Sequence, residues 1–120
     1  MIDNNTIEQI QERMDTALKR IHGSIAMVAI ARQVKEFNSD MRKKALAISM
    51  HRYIERGESM AGAEALARAT PEYNDNIKQL AEEYTNACRV IAESDANYAT
   101  FEATRSLLAM SRESLKTLEG

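Results

Sequence analysis

Apolar residues enter this chain at alternating spacings of three and four, the signature of one face of an α-helix. Ile7, Ile10, Met14, Ala17, Ile21 and Val28 make a first stripe. Every residue from Ile25 to Ala31 is apolar, which would bury a helix on all sides and so needs more than one partner surface. A second stripe then runs in a new phase through Ile30, Val34, Phe37, Met41, Ala45 and Ile48. Gly23 and Ser24 sit just before the change, which predicts a kink or break there. After Pro71 a heptad-like series follows: Ile77, Leu80, Tyr84, Ala87, Ile91, Ser94, Tyr98, Phe101, Arg105, Leu108, Arg112 and Leu115. Because it admits Ser94, Arg105 and Arg112, this series predicts a seam that is wet near its end and not a leucine zipper.

The breakers of regular structure are few and well placed. Pro71 is the only proline, and one glycine, Gly23, lies between Asn5 and Arg56. Asn4, Asn5 and Thr6 are capping residue types, and Thr6 as N-cap would put Gln9 at N3. Gly57 after Arg56 reads as a helix C-cap. Ser59 can cap a short helix with Ala63, Leu66 and Ala67 inside. Thr70-Pro71-Glu72 restarts the chain with a capping hydroxyl, a proline at N1 and an acid at N2. The chain thus predicts one all-α domain over 1–120: a helix at about 5–56 that can break near 23, a short helix at about 59–69, and a long helix at about 71–118. The fold class is a long, coiled-coil-like antiparallel helical hairpin with a short connecting helix. Two paired helices leave each with an uncovered face. The expectation is therefore a homo-oligomeric helical bundle, with Ile25, Val28 and Ile30 in the shared core.

Composition narrows the class without changing it. Hydrophobic residues are 44% and charged residues 28%, with four glycines, one proline and no tryptophan. So few turn formers exclude a sheet protein. A net charge of −2 argues against wholesale electrostatic binding of nucleic acid. The charge is uneven: residues 1–60 carry 10 Lys/Arg against 8 Asp/Glu, and residues 61–120 carry 6 against 10. That mild complementarity favours two arms lying alongside each other. A single cysteine, Cys88, forms no intramolecular disulfide and fits a small buried hydrophobe. The polar N-terminus shows no signal peptide, and the Ile25–Ala31 run is far short of a bilayer span. No membrane partner is expected, and the expected location is cytoplasmic, in the host cell if the chain is viral.

Candidate chemistry lies in charge placement. Lys35, Arg42, Ser49 and Arg56 recur every seven residues, with Asn38 and Arg52 on the same side and Tyr53 near for base stacking. Lys35, Arg42, Arg52 and Arg56 are the candidate contacts to single-stranded DNA phosphates; a solvated helix face is the competing reading. The stretch from Arg42 to Ala69 has helix-turn-helix spacing, but its second helix offers mainly Ala, Met and Leu, and acids follow it. Arg105 and Arg112, with Tyr98, are candidates on the predicted seam for gripping an anionic ligand or a partner carboxylate; alternatively they snorkel to water. His22 and His51 stand apart, and Glu82-Glu83 and Glu93-Asp95 lack the histidine companion of a carboxylate metal site. No enzyme, no metal and no cofactor is expected.

The segments RGESMAGAEALARATPEY (Arg56 to Tyr73) and FEATRSLLAMSRE (Phe101 to Glu113) resemble a diffuse group of small helical bacteriophage early-region proteins. The resemblance covers 56–118 and brings no assigned catalytic residues. It implies a non-enzymatic helper encoded near recombination and replication genes. Its partners would be a host or phage protein, with single-stranded DNA as a further one. The alternative is an anti-defence, anti-CRISPR-like inhibitor that blocks a host protein.

Overall fold

A computed structural model describes residues 3–119, and side chains through Leu118. It contains α1 (Asn4–Glu55), α2 (Met60–Ala69) and α3 (Pro71–Glu119). The fold is the all-α helical hairpin with a short connecting helix that the apolar pattern predicts. No break occurs at Gly23: α1 is helical straight through it. One glycine costs a helix about 1 kcal/mol, too little to interrupt α1 where the turns on either side bury Ile21 and Val28.

The helix ends show how local chemistry sets the boundaries. Asp3, and not Asn4, Asn5 or Thr6, caps α1. The Thr6 amide and hydroxyl both donate to Asp3 Oδ1, at 2.8 and 3.0 Å. These two bonds, the amide first, lower the Asp3 pKa from its ordinary 3.8. An ionised carboxylate at a helix N-terminus satisfies orphan N–H groups and suits the dipole. At the other end Gly57 takes φ 95°. Its N–H donates to Ile54 O at 3.0 Å and the Glu58 N–H to Tyr53 O at 3.1 Å, a Schellman closure.

Ser59 caps α2 by accepting from the Gly62 N–H at 3.1 Å. Thr70, held extended at φ −73°, ψ 128° by the proline that follows it, ends α2. Its hydroxyl does not cap α3 as the sequence suggests. It turns back, donating to Leu66 O at 3.0 Å and accepting from Tyr53 Oη at 3.1 Å. Pro71 needs no N–H partner, and the Thr70 carbonyl accepts the first helical bond from Asn74.

The described residues form two compact units. Unit 1 holds those up to Ala29 and from Val90 on; unit 2 spans Ile30–Arg89. In unit 1, α1 buries Ile10, Ala17, Ile21 and Val28, with Met14 and Ser24 half-buried between them. Opposite them, α3 buries Val90, Ser94, Thr104, Leu108 and Ser111, with Asn97, Phe101 and Leu115 half-buried. The α3 seam thus runs one residue ahead of the predicted series at Asn97, Thr104 and Ser111. Tyr98, Arg105 and Arg112 are exposed, off the seam. The α3 side of the seam mixes apolar Val90 and Leu108 with small polar Ser94, Thr104 and Ser111. The Thr104 hydroxyl enters at little cost because it donates to Thr100 O at 2.8 Å.

Unit 2 packs three helices. Ala63 and Ala67 of α2 are fully buried against Met50, Leu46 and Tyr53 of α1, small residues that let the backbones approach closely. Asn38 is buried on the side of α1 facing α3, and its Nδ2 donates to Leu80 O at 2.9 Å. No helix among the described residues is long and apolar enough to cross a membrane.

Candidate functional site

The chemistry of unit 2 is concentrated on α1, where different residues share the helix by phase. At about 100° per residue, Ala31, Asn38, Ala45 and Ser49 point toward α3, and Leu46, Met50 and Tyr53 toward α2. The second apolar stripe is left over. Ile30 is 61% exposed, Phe37 52%, Met41 48% and Ile48 65%. Single exposed leucines are ordinary, but four large apolar side chains in one line are not. Beside the stripe run two hollows. One, of about 250 Å³, is lined by Val34, Phe37, Met41, Asn38 and Leu80 with Glu83 at its rim. The other, of about 140 Å³, includes Ala45, Ile48, Tyr73 and Asn76.

The predicted basic stripe divides on inspection. Asn38 is spent inside unit 2, and Ser49 is half-buried. Arg52 faces the hollow beside Ile48, 3.8 Å from Glu72, an exposed pair worth little. Arg56 lies over the Tyr53 ring, 5.8 Å from its centroid, at the end of α1. That leaves Lys35 and Arg42, both exposed and without an ion pair among the described residues. Sequence reasoning missed two neighbours. Arg32 and Lys43 fall with Lys35 and Arg42 within about 100° of arc, and no Asp or Glu of α1 between Ile30 and Glu55 shares it. This cationic arc lies on the side of α1 roughly opposite the apolar stripe. A wheel plotted over every Lys and Arg from Arg32 to Arg56, and not at heptad intervals alone, would have found it.

The remaining candidates separate. Arg105 Nη2 pairs with Glu102 of its own helix at 2.6 Å, and Tyr98 and Arg112 are exposed. Of the residues expected in an oligomer core, Val28 is buried in the seam of its own unit, whereas Ile25 and Ile30 are exposed. Cys88 is half-buried. Among the described residues no three metal-ligating side chains come together. No protein-family model, curated protein or solved structure matches this chain.

Proposed function

We propose that this chain is a non-enzymatic, phage-type accessory protein that works by contact, in recombination or replication, through the faces of α1 in unit 2. The observation that supports it most is the arc of Arg32, Lys35, Arg42 and Lys43, clear of α1 acids, on the face opposite the open apolar stripe. A helix that is cationic on one side and apolar on the other can hold an anionic polymer and a second surface at once. Single-stranded DNA is the anion the arc suits, since its backbone follows a line of cations without demanding base readout.

Fluorescence anisotropy with a labelled oligonucleotide at low salt tests this. Binding should weaken steeply with salt, and Lys35→Gln with Arg42→Gln should shallow the log–log slope by roughly 0.7 for each lost contact. All sequences should weaken about equally. No binding at low salt would remove the nucleic-acid role. The exposed stripe favours a second reading, in which the protein is an anti-defence inhibitor that seats an apolar face on a host protein and blocks it. In that case a host partner, and not an oligonucleotide, protects the stripe.

A further inference from the structure

The open stripe of unit 2 is a complete second heptad seam. Between Ile30 and Ile48 the residues within about 40° of its centre line are Ile30, Val34, Phe37, Met41, Lys44 and Ile48. Their spacing is 4-3-4-3-4, the a/d alternation of a coiled coil, on a helix whose other seam is already occupied. Five of the six are apolar, and none of the four largest is more than about half covered by its own chain.

We infer that this seam is an interface with a second copy of the chain, α1 packing antiparallel on α1 about a two-fold axis that crosses the seam midway between Phe37 and Met41. The pattern supplies its own complement. Reversed on itself, it sets Phe37 against Met41 of the second copy and Ile30 against Ile48, so each copy gives the other the same patch, as a two-fold interface requires. The aromatic and the thioether fall at the centre, where interface energy concentrates.

Lys44 decides the direction. In a parallel pair it would face Lys44 of the second copy at a core position, two like charges brought together out of water. In the antiparallel pair it faces Val34, away from the axis, where its methylene stem covers the valine and its ammonium reaches solvent. The area is consistent with a small but specific dimer. The four large side chains offer roughly 100 Å² each, about half of the ~800 Å² per partner of a standard interface. Val34, the Lys44 stem and the flanks of Gln33 and Arg52 supply the rest. This inference deepens the contact reading above by naming the occupant of the stripe, and it stands or falls separately from oligonucleotide binding.

Light scattering on the unmodified protein across micromolar concentrations should give a dimer mass, and Phe37→Glu should give a monomer. Circular dichroism should show Phe37→Glu still helical, because Phe37 is half-exposed within its own chain. Orientation is read by cysteine crosslinking in a Cys88→Ser background. Ile30→Cys mixed with Ile48→Cys should form a disulfide-linked dimer under mild oxidation, while each alone should not. A monomer at all concentrations overturns the inference and leaves the stripe to a partner of another kind. Crosslinking of Ile30→Cys to itself, or an unchanged dimer in Phe37→Glu, overturns it as well. A monomer that still binds oligonucleotide would remove the dimer and keep the nucleic-acid reading.

Discussion

Unit 1 and unit 2 use the same helices and solve the burial problem differently. In unit 1 each helix has one seam, and both sides of it mix large and small residues: Ile10, Ala17, Ile21 and Val28 on α1, and Val90, Ser94, Thr104, Leu108 and Ser111 on α3. The exposed large apolar residues of this unit, Ile25, Met27, Tyr98, Leu107, Met110 and Leu118, form no single line along either helix. In unit 2, α1 carries apolar residues at more phases than its own partners can cover. It gives one phase to α3, one to α2, and leaves a third in solvent. The difference shows that apolar content and burial are separate properties. A chain that places a whole heptad seam outside its own fold, at the cost of solubility and with no gain in intramolecular stability, has reason to use it.

The largest effect that would break this comparison comes from closing a site that is already full. Ala67→Glu puts a charge with no partner against Met50 and Tyr53, and should cost unit 2 at least about 3 kcal/mol, lowering the melting temperature sharply. A small change there would mean that α2 is only loosely docked. Next comes the contrast between closed and open seams. Leu108→Ala, at a 4% exposed position of unit 1, should cost about 2–4 kcal/mol, whereas Ile48→Ala should change the unfolding of the isolated chain by no more than about 0.5 kcal/mol. Urea titration below the association range separates these. Equal losses would show that the stripe is packed after all.

The smallest pair sharpens the account of the helix ends. Gly57→Ala should cost about 1–2 kcal/mol, because an L-residue at φ 95° is strained although nothing crowds its Cβ. Gly23→Ala, with open space around it in mid-helix, should gain about 0.5–1 kcal/mol. Opposite signs in paired thermal melts check both. A loss at Gly23 would mean that the glycine is kept for something other than the helix.

The three elements were legible because their stops are chemically sharp. Gly57, Ser59 and Pro71 each act within a few residues, so local pattern sufficed. The phase of α3 was not legible. Asn97 and Tyr98, Thr104 and Arg105, Ser111 and Arg112 are adjacent pairs, and which member turns inward depends on the space that α1 leaves. Asn97, Thr104 and Ser111 are the inward members, and because Ser94, Phe101, Leu108 and Leu115 keep the same phase under either choice, the pattern of α3 alone does not separate the two. The cap at Asp3 was missed for a simpler reason: Asn4, Asn5 and Thr6 compete for the same role, and the carboxylate one residue earlier accepts both Thr6 donors. Of the candidate site, the apolar stripe from Ile30 to Ile48 was plain in the sequence. What the pattern could not show was which of its apolar phases α3 and α2 already take.

Methionine oxidation tests the central claim most directly, since the chain carries its own reporters. Met41 lies on the stripe at 48% exposure, Met60 and Met110 lie elsewhere at 67%, and Met50 is buried at 9%. If the stripe is an interface, dilute peroxide at high protein concentration should oxidise Met60 and Met110 quickly and Met41 slowly, approaching Met50. On dilution below the association range, Met41 alone should speed up toward the exposed pair. If Met41 keeps pace with Met60 and Met110 at every concentration, the stripe is bare in solution and the account of unit 2 as an open seam that the protein covers by association is wrong.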